Sequence, residues 1–196
     1  MMMETIKIKN KTFEILEQIT EKTFKISYKG KVFFLKRFVE GSLELENFSK
    51  KSRELKISGV SIPKVRRIDK KNNLVVMDYI PGPTALDVLA HQSLDGLYYE
   101  KIFEAAWYAR NDKITLDFHP DNWKLHNKKL YYLLFDYIEG YDKEHSFDLE
   151  GIRYWFYTKE LTDYLHSKGM NVDKSRLKDE YATNKEIVMC AYQYHI

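Results

Sequence analysis

Short stretches of apolar residues, separated by polar residues and turn signals, occupy much of the first eighty residues, a pattern typical of β-strands. β-Branched and aromatic residues are concentrated in five of these stretches, at residues 12–19, 23–28, 32–38, 61–68 and 73–80. The sequence Tyr28-Lys-Gly-Lys31 predicts a tight turn between the second and the third stretch. We therefore expect an antiparallel sheet of five strands, which begins as a meander.

Between the third and the fourth stretch the apolar positions change to helical spacing. The predicted helix begins near Ser42 and ends at Gly59, which is a common stop signal. Intervals of three and four residues place one set of side chains on a single face, and these are Leu45, Phe48, Ser52 and Leu55. We expect this helix to pack against the sheet.

The sequence Pro81-Gly-Pro83 is the sharpest break in the chain, because two prolines around a glycine disfavour both helix and strand. Beyond it, residues 84–90, 97–111, 151–168 and 175–194 are predicted helices, and residues 123–125 and 130–135 a predicted strand pair. The expected fold is therefore α+β. Residues 1–80 form a β-rich lobe and residues 81–196 a mostly helical lobe of one domain.

Composition narrows the classes of function. The chain has 196 residues and a formal net charge of +3, so a nucleic-acid surface would need locally clustered basic residues. One such cluster lies at residues 64–71; a solvated face is the favoured interpretation, and RNA contact the minority one. The single cysteine, Cys190, excludes an internal disulfide and a cysteine-based zinc site. Without a signal-like or membrane-spanning stretch, a cytoplasmic location is expected.

The candidate chemistry lies in the sequence Asp117-Phe-His-Pro-Asp-Asn122 and in Asp136, which follows an apolar stretch. This spacing resembles the catalytic and metal-binding motifs of the protein-kinase-like superfamily. The resemblance implies a two-lobed kinase-like fold that binds ATP with Mg²⁺, or alternatively Mn²⁺. Asp117 would then be the catalytic base, and Asn122 and Asp136 the metal ligands. The alternative is a turn without catalytic function, since Asp, Pro and Asn also favour turns.

The same resemblance implies nucleotide-binding residues in the first lobe. Lys36 stands where these kinases have the lysine that pairs with the α- and β-phosphates. Glu44 is the preferred helix partner of Lys36 because it shares a face with Phe48, and Glu46 is the alternative. The residues that would read the adenine are Met77, Asp78 and Ile80, mainly through the backbone of the last two.

The sequence also departs from the kinase pattern. Residues 18–23, which join the first two strands, contain no glycine, and Phe34 replaces a small residue under the expected adenine. Thr115 replaces the histidine of the H-x-D motif, and Tyr137 and Ile138 replace the Phe-Gly of D-F-G. No A-P-E motif follows, so the usual platform for a protein substrate is missing.

Two further features bear on the acceptor. His119 and Pro120 resemble the D-x-H-P-x-N of aminoglycoside and choline phosphotransferases and of UbiB-like kinases, which favours small acceptors. The short segment 142–149 resembles RIO kinases and the kinase subunit of the tRNA threonylcarbamoylation (KEOPS) complex, where an aspartate such as Asp148 anchors the catalytic loop. Lipopolysaccharide-core heptose kinases are similar in overall plan.

The expected function is an ATP-dependent phosphotransferase that acts on a hydroxyl group of a protein Ser or Thr or of a small molecule. The sequence leaves the acceptor and the oligomeric state open. A pseudokinase that acts as an interaction module is the alternative, motivated by the missing glycines and by Phe34.

Overall fold

A computed structural model describes residues 4–194 and shows an α+β chain. The strands of this part of the chain are β1 (Thr5–Ile8), β2 (Lys11–Thr20), β3 (Thr23–Tyr28), β4 (Lys31–Arg37), β5 (Val65–Asp69), β6 (Leu74–Asp78), β7 (Ile114–Thr115), β8 (Trp123–His126), β9 (Lys129–Tyr132) and β10 (Ile138–Glu139). The helices are α1 (Glu44–Ser58), α2 (Ala85–His91), α3 (Gly96–Asn111), α4 (Lys159–Ser167) and α5 (Glu180–Tyr194). Short 3-10 helices occupy Pro120–Asn122, Gly151–Trp155 and Lys174–Arg176. Residues 1–3, on which the expectation about the N-terminal segment partly rests, lie outside the described residues.

The first six strands form one antiparallel sheet in the order β1-β2-β3-β4-β6-β5. The predicted count of five strands is wrong, because β1 adds a sixth at the edge beside β2. Its Ile8 is completely buried, so the strand contributes to the core. Four residues give too short an alternation to indicate a strand. The turn after β1 contains no glycine that would have indicated a hairpin. Lys9 takes the left-handed conformation there, with φ 53°.

The two faces of this sheet pack differently. One face carries a cluster of buried apolar side chains, namely Ile8, Phe13, Phe24, Ile26, Leu35, Leu74 and Val76. The pairing of β4 with β6 places Phe34 opposite Met77 and Lys36 opposite Val75 on the other face. Helix α1 packs near this second face, where the rings of Phe38 and Phe48 lie 5.3 Å apart.

The predicted buried face of α1 is confirmed. Leu45, Phe48, Ser52 and Leu55 are only 6%, 5%, 8% and 0% exposed. The predictions for residues 84–90 and 97–111 agree with α2 and α3 to within one residue at each end. Helix α2 begins with a capping box, in which the Thr84 side chain and the Asp87 side chain satisfy each other's backbone N–H groups.

The two later helices are shorter than predicted. Residues 151–168 form the 3-10 helix Gly151–Trp155, which ends with Phe156 as its C-cap, and then α4, which begins with Thr158 as its N-cap. The Thr158 hydroxyl donates to the Arg153 carbonyl at 2.7 Å and accepts the Leu161 N–H at 3.1 Å. Residues 175–194 likewise begin their α-helix only at Glu180, where the Asp179 carboxylate accepts the Ala182 N–H at 2.8 Å.

The chain divides into two compact units. The first comprises residues up to Ser52 together with Pro63–Ile80, and the second comprises Arg53–Ile62 and the chain from Pro81 onwards. The core of the second unit includes the largest completely buried side chains, Trp123, Trp155 and Tyr132.

Within residues 4–194 no helix has the length and apolar character needed to cross a bilayer. The expected cytoplasmic location stays a prediction.

Candidate functional site

The segments that carry Asp117 and Asp136 are joined by a short strand pair in the second unit. Strand β7, just before Asp117, pairs with β10, just after Asp136, so that Thr115 lies opposite Ile138. The Thr115 hydroxyl donates to the Gly140 carbonyl at 2.8 Å and accepts the Asp142 N–H at 2.8 Å. These contacts fix the course of both segments.

Both backbone groups of Asp117 are held by buried aromatic side chains. Its N–H donates to the Tyr132 hydroxyl at 3.2 Å, and its carbonyl accepts the Trp123 indole N–H at 3.1 Å. Trp123 and Tyr132 lie opposite each other in the β8–β9 hairpin, and both are 0% exposed. The hairpin therefore sets the position of the Asp117 backbone.

The Asp117 carboxylate is held by its own loop. Its Oδ1 accepts the His119 backbone N–H at 3.0 Å and lies 2.6 Å from His119 Nδ1, while the Asn122 amide also donates to this carboxylate. Burial by itself would raise the pKa of Asp117, but these hydrogen bonds outweigh it and leave the pKa below its ordinary value. The side chain stays 40% exposed, so the ionised carboxylate is accessible to a reactant.

His119 packs against two tyrosine rings, which also contact each other with centroids 5.6 Å apart. The centroids of Tyr154 and Tyr164 are 4.4 and 4.6 Å from that of the imidazole. The hydrogen bond to Asp117 raises the pKa of His119 above its ordinary value, although partial burial opposes this. The contacts with these two rings and the hydrogen bond at Nδ1 restrict the orientation of the imidazole.

The two expected metal ligands lie on segments that touch each other. The Asn122 carbonyl accepts the Leu133 N–H at 2.8 Å, which ties the loop to the segment that leads to Asp136. Asp136 is exposed, its Oδ1 accepts the Tyr137 N–H at 2.8 Å, and its carbonyl accepts the Tyr132 hydroxyl at 2.8 Å. Before it, Phe135 has φ 55°, a conformation that costs a bulky residue about 1–3 kcal/mol.

The donor atoms at this position suit a hard cation. Because the Asn122 amide nitrogen donates to Asp117, its carbonyl oxygen is the atom that could bind a metal together with the Asp136 carboxylate. Mg²⁺ prefers such oxygen ligands and completes its shell with water and phosphate. Within residues 4–194 no group of three or more His, Cys, Asp or Glu side chains could hold a metal, so a site built from protein ligands alone is not formed there.

Phe118, beside Asp117, is anchored by the segment that follows the loop. Its carbonyl accepts the Trp155 indole N–H at 2.7 Å, and its ring lies 5.2 Å from that of Phe147. A Cβ at Gly151 would lie 2.7 Å from the Phe118 Cβ, so only glycine fits this approach.

Asp148 accepts hydrogen bonds from Arg110 at 2.9 Å and from the Tyr141 hydroxyl at 3.5 Å. Its expected role in anchoring the loop stays a prediction.

Asp121, the second carboxylate of the loop, bonds to α4. Asp121 accepts hydrogen bonds from the Tyr164 hydroxyl and the Lys168 ammonium, both at 2.8 Å. Since both partners belong to α4 or its C-cap, Asp121 ties the loop to this helix. It is therefore a poor candidate for a catalytic base.

Tyr137 connects the Asp136 segment to α1. It is 7% exposed, and its hydroxyl donates to the Glu54 carboxylate. Burial, and then the hydrogen bond to Glu54, raise the pKa of Tyr137 well above its ordinary value. The hydroxyl thus stays protonated and keeps donating at physiological pH.

The expected nucleotide-binding residues Lys36, Met77, Asp78 and Ile80 lie in the first unit. Lys36 Nζ lies 5.4 and 5.8 Å from the ring centroids of Phe38 and Phe48, and Met77 and Ile80 are buried. The Asp78 side chain forms a bidentate pair with Arg66, at 2.5 and 2.8 Å, which engages one cation of the basic cluster 64–71.

The ring of Phe34 stacks on that of Tyr79, with centroids 5.8 Å apart. Glu44 is exposed; its carboxylate lies 3.7 Å from Lys22 Nζ and accepts the Val39 N–H at 3.5 Å. The pairing of Lys36 with Glu44 or Glu46, and RNA contact by the basic cluster, stay predictions.

Sequence reasoning missed the aromatic residues that support this site. These residues are Tyr132, Trp155, Tyr154 and Tyr164. Alternation in β9 could have placed Tyr132 inside, but no local signal indicates where a buried hydroxyl finds its partners.

A scan against protein-family models finds no match to the chain. A search of curated proteins finds no match either. The inference of function therefore rests on the residues and on the geometry described above.

The pH dependence of His119 gives a first prediction. Because its folded pKa is raised above 6.5, its contribution to stability is complete below pH 6.5 and is lost as the pH rises through the folded pKa. The contribution of Asp117, whose pKa is lowered, is lost only as the pH falls through that lowered value. NMR titration of the imidazole should give a midpoint above 6.5 in the wild type and a lower one in Asp117→Asn. A wild-type midpoint at or below 6.5 contradicts the pairing.

Proposed function

We propose that the protein is an ATP-dependent phosphotransferase with a two-lobed kinase-like fold, which transfers the γ-phosphate of ATP to a hydroxyl group. The observation that carries the proposal is the convergence of Asp117, Asn122 and Asp136 within the second unit. Asn122 donates to the Asp117 carboxylate, and one tyrosine hydroxyl bonds the backbones of both aspartates. A turn formed only by local Asx preferences does not require this convergence.

In this proposal Asp117 is the catalytic base. Its Oδ1 is engaged by His119, its pKa is lowered, and its side chain is partly exposed. The acceptor oxygen attacks the γ-phosphorus as its proton passes to the Asp117 carboxylate, and the bond to the leaving ADP oxygen breaks. The lowered pKa keeps Asp117 ionised at neutral pH, so the base is ready to receive the proton.

Asn122 and Asp136 would bind Mg²⁺, or alternatively Mn²⁺, through one amide oxygen and one carboxylate. The metal supplies charge neutralisation at the phosphate oxygens. Lys36 would neutralise the α- and β-phosphates, and the backbones of Asp78 and Ile80, near Met77, would read the adenine. Glu44 or Glu46 would orient Lys36.

The acceptor is a protein Ser or Thr or a small molecule, and His119-Pro120 favours the latter. The alternative function, a pseudokinase that serves as an interaction module, gains support from the Phe34–Tyr79 stack. These two rings add bulk on the face of the sheet that carries Lys36. Nucleotide binding separates the two functions.

Saturating MgATP is expected to raise the thermal unfolding midpoint by several degrees. A ligand present at about 100 times its Kd stabilises the folded state by roughly 2.7 kcal/mol. A chain of this size shifts by about 2–4 °C per kcal/mol. Lys36→Ala should reduce the shift, because the phosphates lose a neutralising charge. Lys31→Ala is the matched control, since Lys31 is exposed at the start of the same strand and should leave the shift unchanged.

Differential scanning fluorimetry should be carried to millimolar nucleotide with Mg²⁺ and with Mn²⁺. Absence of any shift under both conditions would contradict the phosphotransferase and favour the interaction module. A shift that is equally large in Lys36→Ala would remove Lys36 from the nucleotide site and leave the other assignments in place.

A further inference from the structure

Tyr132 is held in the core of the second unit by a backbone hydrogen bond and by a ring contact. Its backbone N–H donates to the Ser61 carbonyl at 2.8 Å, and its ring lies 4.7 Å from that of Trp123, its partner across the β8–β9 hairpin. The side chain is 0% exposed, so water cannot replace its hydrogen bonds. Its hydroxyl therefore occupies one well-defined position.

This hydroxyl bonds two separate segments at once. It accepts the Asp117 N–H at 3.2 Å and donates its own proton to the Asp136 carbonyl at 2.8 Å. A tyrosine hydroxyl has one proton to donate and can accept as well, so the two bonds use both of its capacities. The Tyr132 hydroxyl thus joins the backbone of Asp117, the proposed base, to that of Asp136, a proposed metal ligand.

Trp123 bonds the other backbone group of Asp117. While Tyr132 receives the Asp117 N–H, the Trp123 indole donates to the Asp117 carbonyl at 3.1 Å. One cross-strand pair thus satisfies both backbone groups of Asp117, whereas Asp136 is reached by the Tyr132 hydroxyl. Removal of that hydroxyl leaves the Asp117 backbone bonded to this pair through its carbonyl only.

Thr115 does not supply this link. The single proton of its hydroxyl is donated to the Gly140 carbonyl, and the same oxygen accepts the Asp142 N–H. Thr115 therefore secures the segment beyond β10, and the Asp117–Asp136 link belongs to Tyr132.

We propose that Tyr132 is a positioning residue, whose hydroxyl sets the distance and orientation between Asp117 and Asp136. This inference rests on the proposed phosphotransfer, in which the acceptor hydroxyl at Asp117 must lie in line with the phosphate held by the metal at Asp136. The hydroxyl touches neither reactant and acts only through these two residues. A misplacement of about 1 Å can cost roughly 10²-fold in rate.

Tyr132→Phe is the direct test, because it removes the hydroxyl and keeps the ring. Steady-state release of phosphate from MgATP, with water as the acceptor, should show kcat lowered by about 10- to 10²-fold. The KM for MgATP should change much less, since the side chains of Asn122 and Asp136 are retained. Because a loss of folded protein would also lower the apparent kcat and leave KM unchanged, kcat is calculated per folded molecule, with the folded fraction taken from the thermal unfolding curve of each variant.

Two matched variants control for the loss of a tyrosine hydroxyl. Tyr131→Phe makes the same change on the neighbouring residue of β9, which is only partly buried. Tyr99→Phe removes a hydroxyl that donates to the backbone carbonyl of Trp155 at 3.2 Å, and both hydrogen bonds of the Tyr132 hydroxyl are retained in this variant. Both should retain kcat close to that of the wild type, even if Tyr99→Phe unfolds at a lower temperature.

Amide hydrogen exchange gives a readout that needs no activity. The Asp117 N–H should exchange at least about tenfold faster in Tyr132→Phe than in Tyr99→Phe, because only the former removes its acceptor. If Tyr132→Phe keeps wild-type kcat, or if the Asp117 amide exchanges at an unchanged rate, the proposal is overturned.

If the proposed phosphotransfer is wrong, the measurements differ from those expected when only the role of Tyr132 is wrong. In that case the wild type neither binds nor hydrolyses MgATP, and the exchange rate of the Asp117 amide by itself decides whether Tyr132 holds the segment.

Discussion

Asp136→Asn is expected to abolish Mg²⁺-dependent nucleotide binding while the protein stays folded. The substitution removes the negative charge that would bind the metal, and metal clamps of this kind contribute several kcal/mol. Because 1.4 kcal/mol corresponds to a factor of ten, MgATP affinity should fall by at least about 10²-fold. Isothermal titration with MgATP, together with a cooperative thermal transition, measures both parts of the prediction.

Asp142→Asn is the matched control for this variant. Asp142 is an exposed aspartate in the segment after β10, where its carboxylate accepts the Glu144 N–H at 2.9 Å and pairs with His145. MgATP affinity should be unchanged in Asp142→Asn. Equal affinity of the wild type and Asp136→Asn would remove Asp136 as the metal ligand.

Asp117→Ala should lower turnover by about 10² to 10⁴, the usual contribution of a positioned general base. Nucleotide affinity should change little, because the proposed metal and phosphate contacts lie elsewhere, at Asn122, Asp136 and Lys36. Single-turnover phosphate release, combined with a nucleotide titration, separates the two quantities. The base and the metal site would then be distinguished by two single substitutions.

Asp121→Asn controls for the loss of a carboxylate from the same loop. Asp121 is engaged by Tyr164 and Lys168, so its replacement should reduce thermal stability and leave turnover close to that of the wild type. Full turnover in Asp117→Ala would exclude Asp117 as the base. A defect of equal size in Asp121→Asn would show that loop geometry, rather than a specific base, governs the rate.

Two hydroxyl groups hold the backbone on either side of the candidate site. Thr115 holds the backbone of Gly140 and Asp142, and Tyr132 holds Asp117 and Asp136. Two hydroxyl groups from different strands therefore organise the segments on either side of the candidate site.

Local sequence signals were sufficient for most of the regular structure. The spacing of Leu45, Phe48, Ser52 and Leu55 predicted the buried face of α1, because residues three and four apart share a side of any α-helix. The strands β2 to β6 were predicted from runs rich in β-branched and aromatic residues. Asp117, Asn122 and Asp136 were proposed because their spacing resembles that of the kinase catalytic and metal-binding motifs, and their roles stay predictions.

Only the tertiary structure decided the features that depend on distant partners. Ile8 of β1 is buried in the apolar cluster of the sheet, and Thr158 begins α4 within a stretch that apolar periodicity alone predicts as one continuous helix. The partners of Glu44 and Asp121 likewise come from other elements.

Tyr132 shows why such features cannot be predicted from local sequence. Alternation can place a tyrosine in the core, but the cost of burying its hydroxyl is offset by whichever donor and acceptor the packed chain brings within about 3 Å. Here these are the backbones of Asp117 and Asp136, which reach Tyr132 only after β7, β9 and β10 have come together. The sequence by itself thus determined which residues could carry the chemistry, and the packing of the second unit decided which side chains hold Asp117 and Asp136 in place.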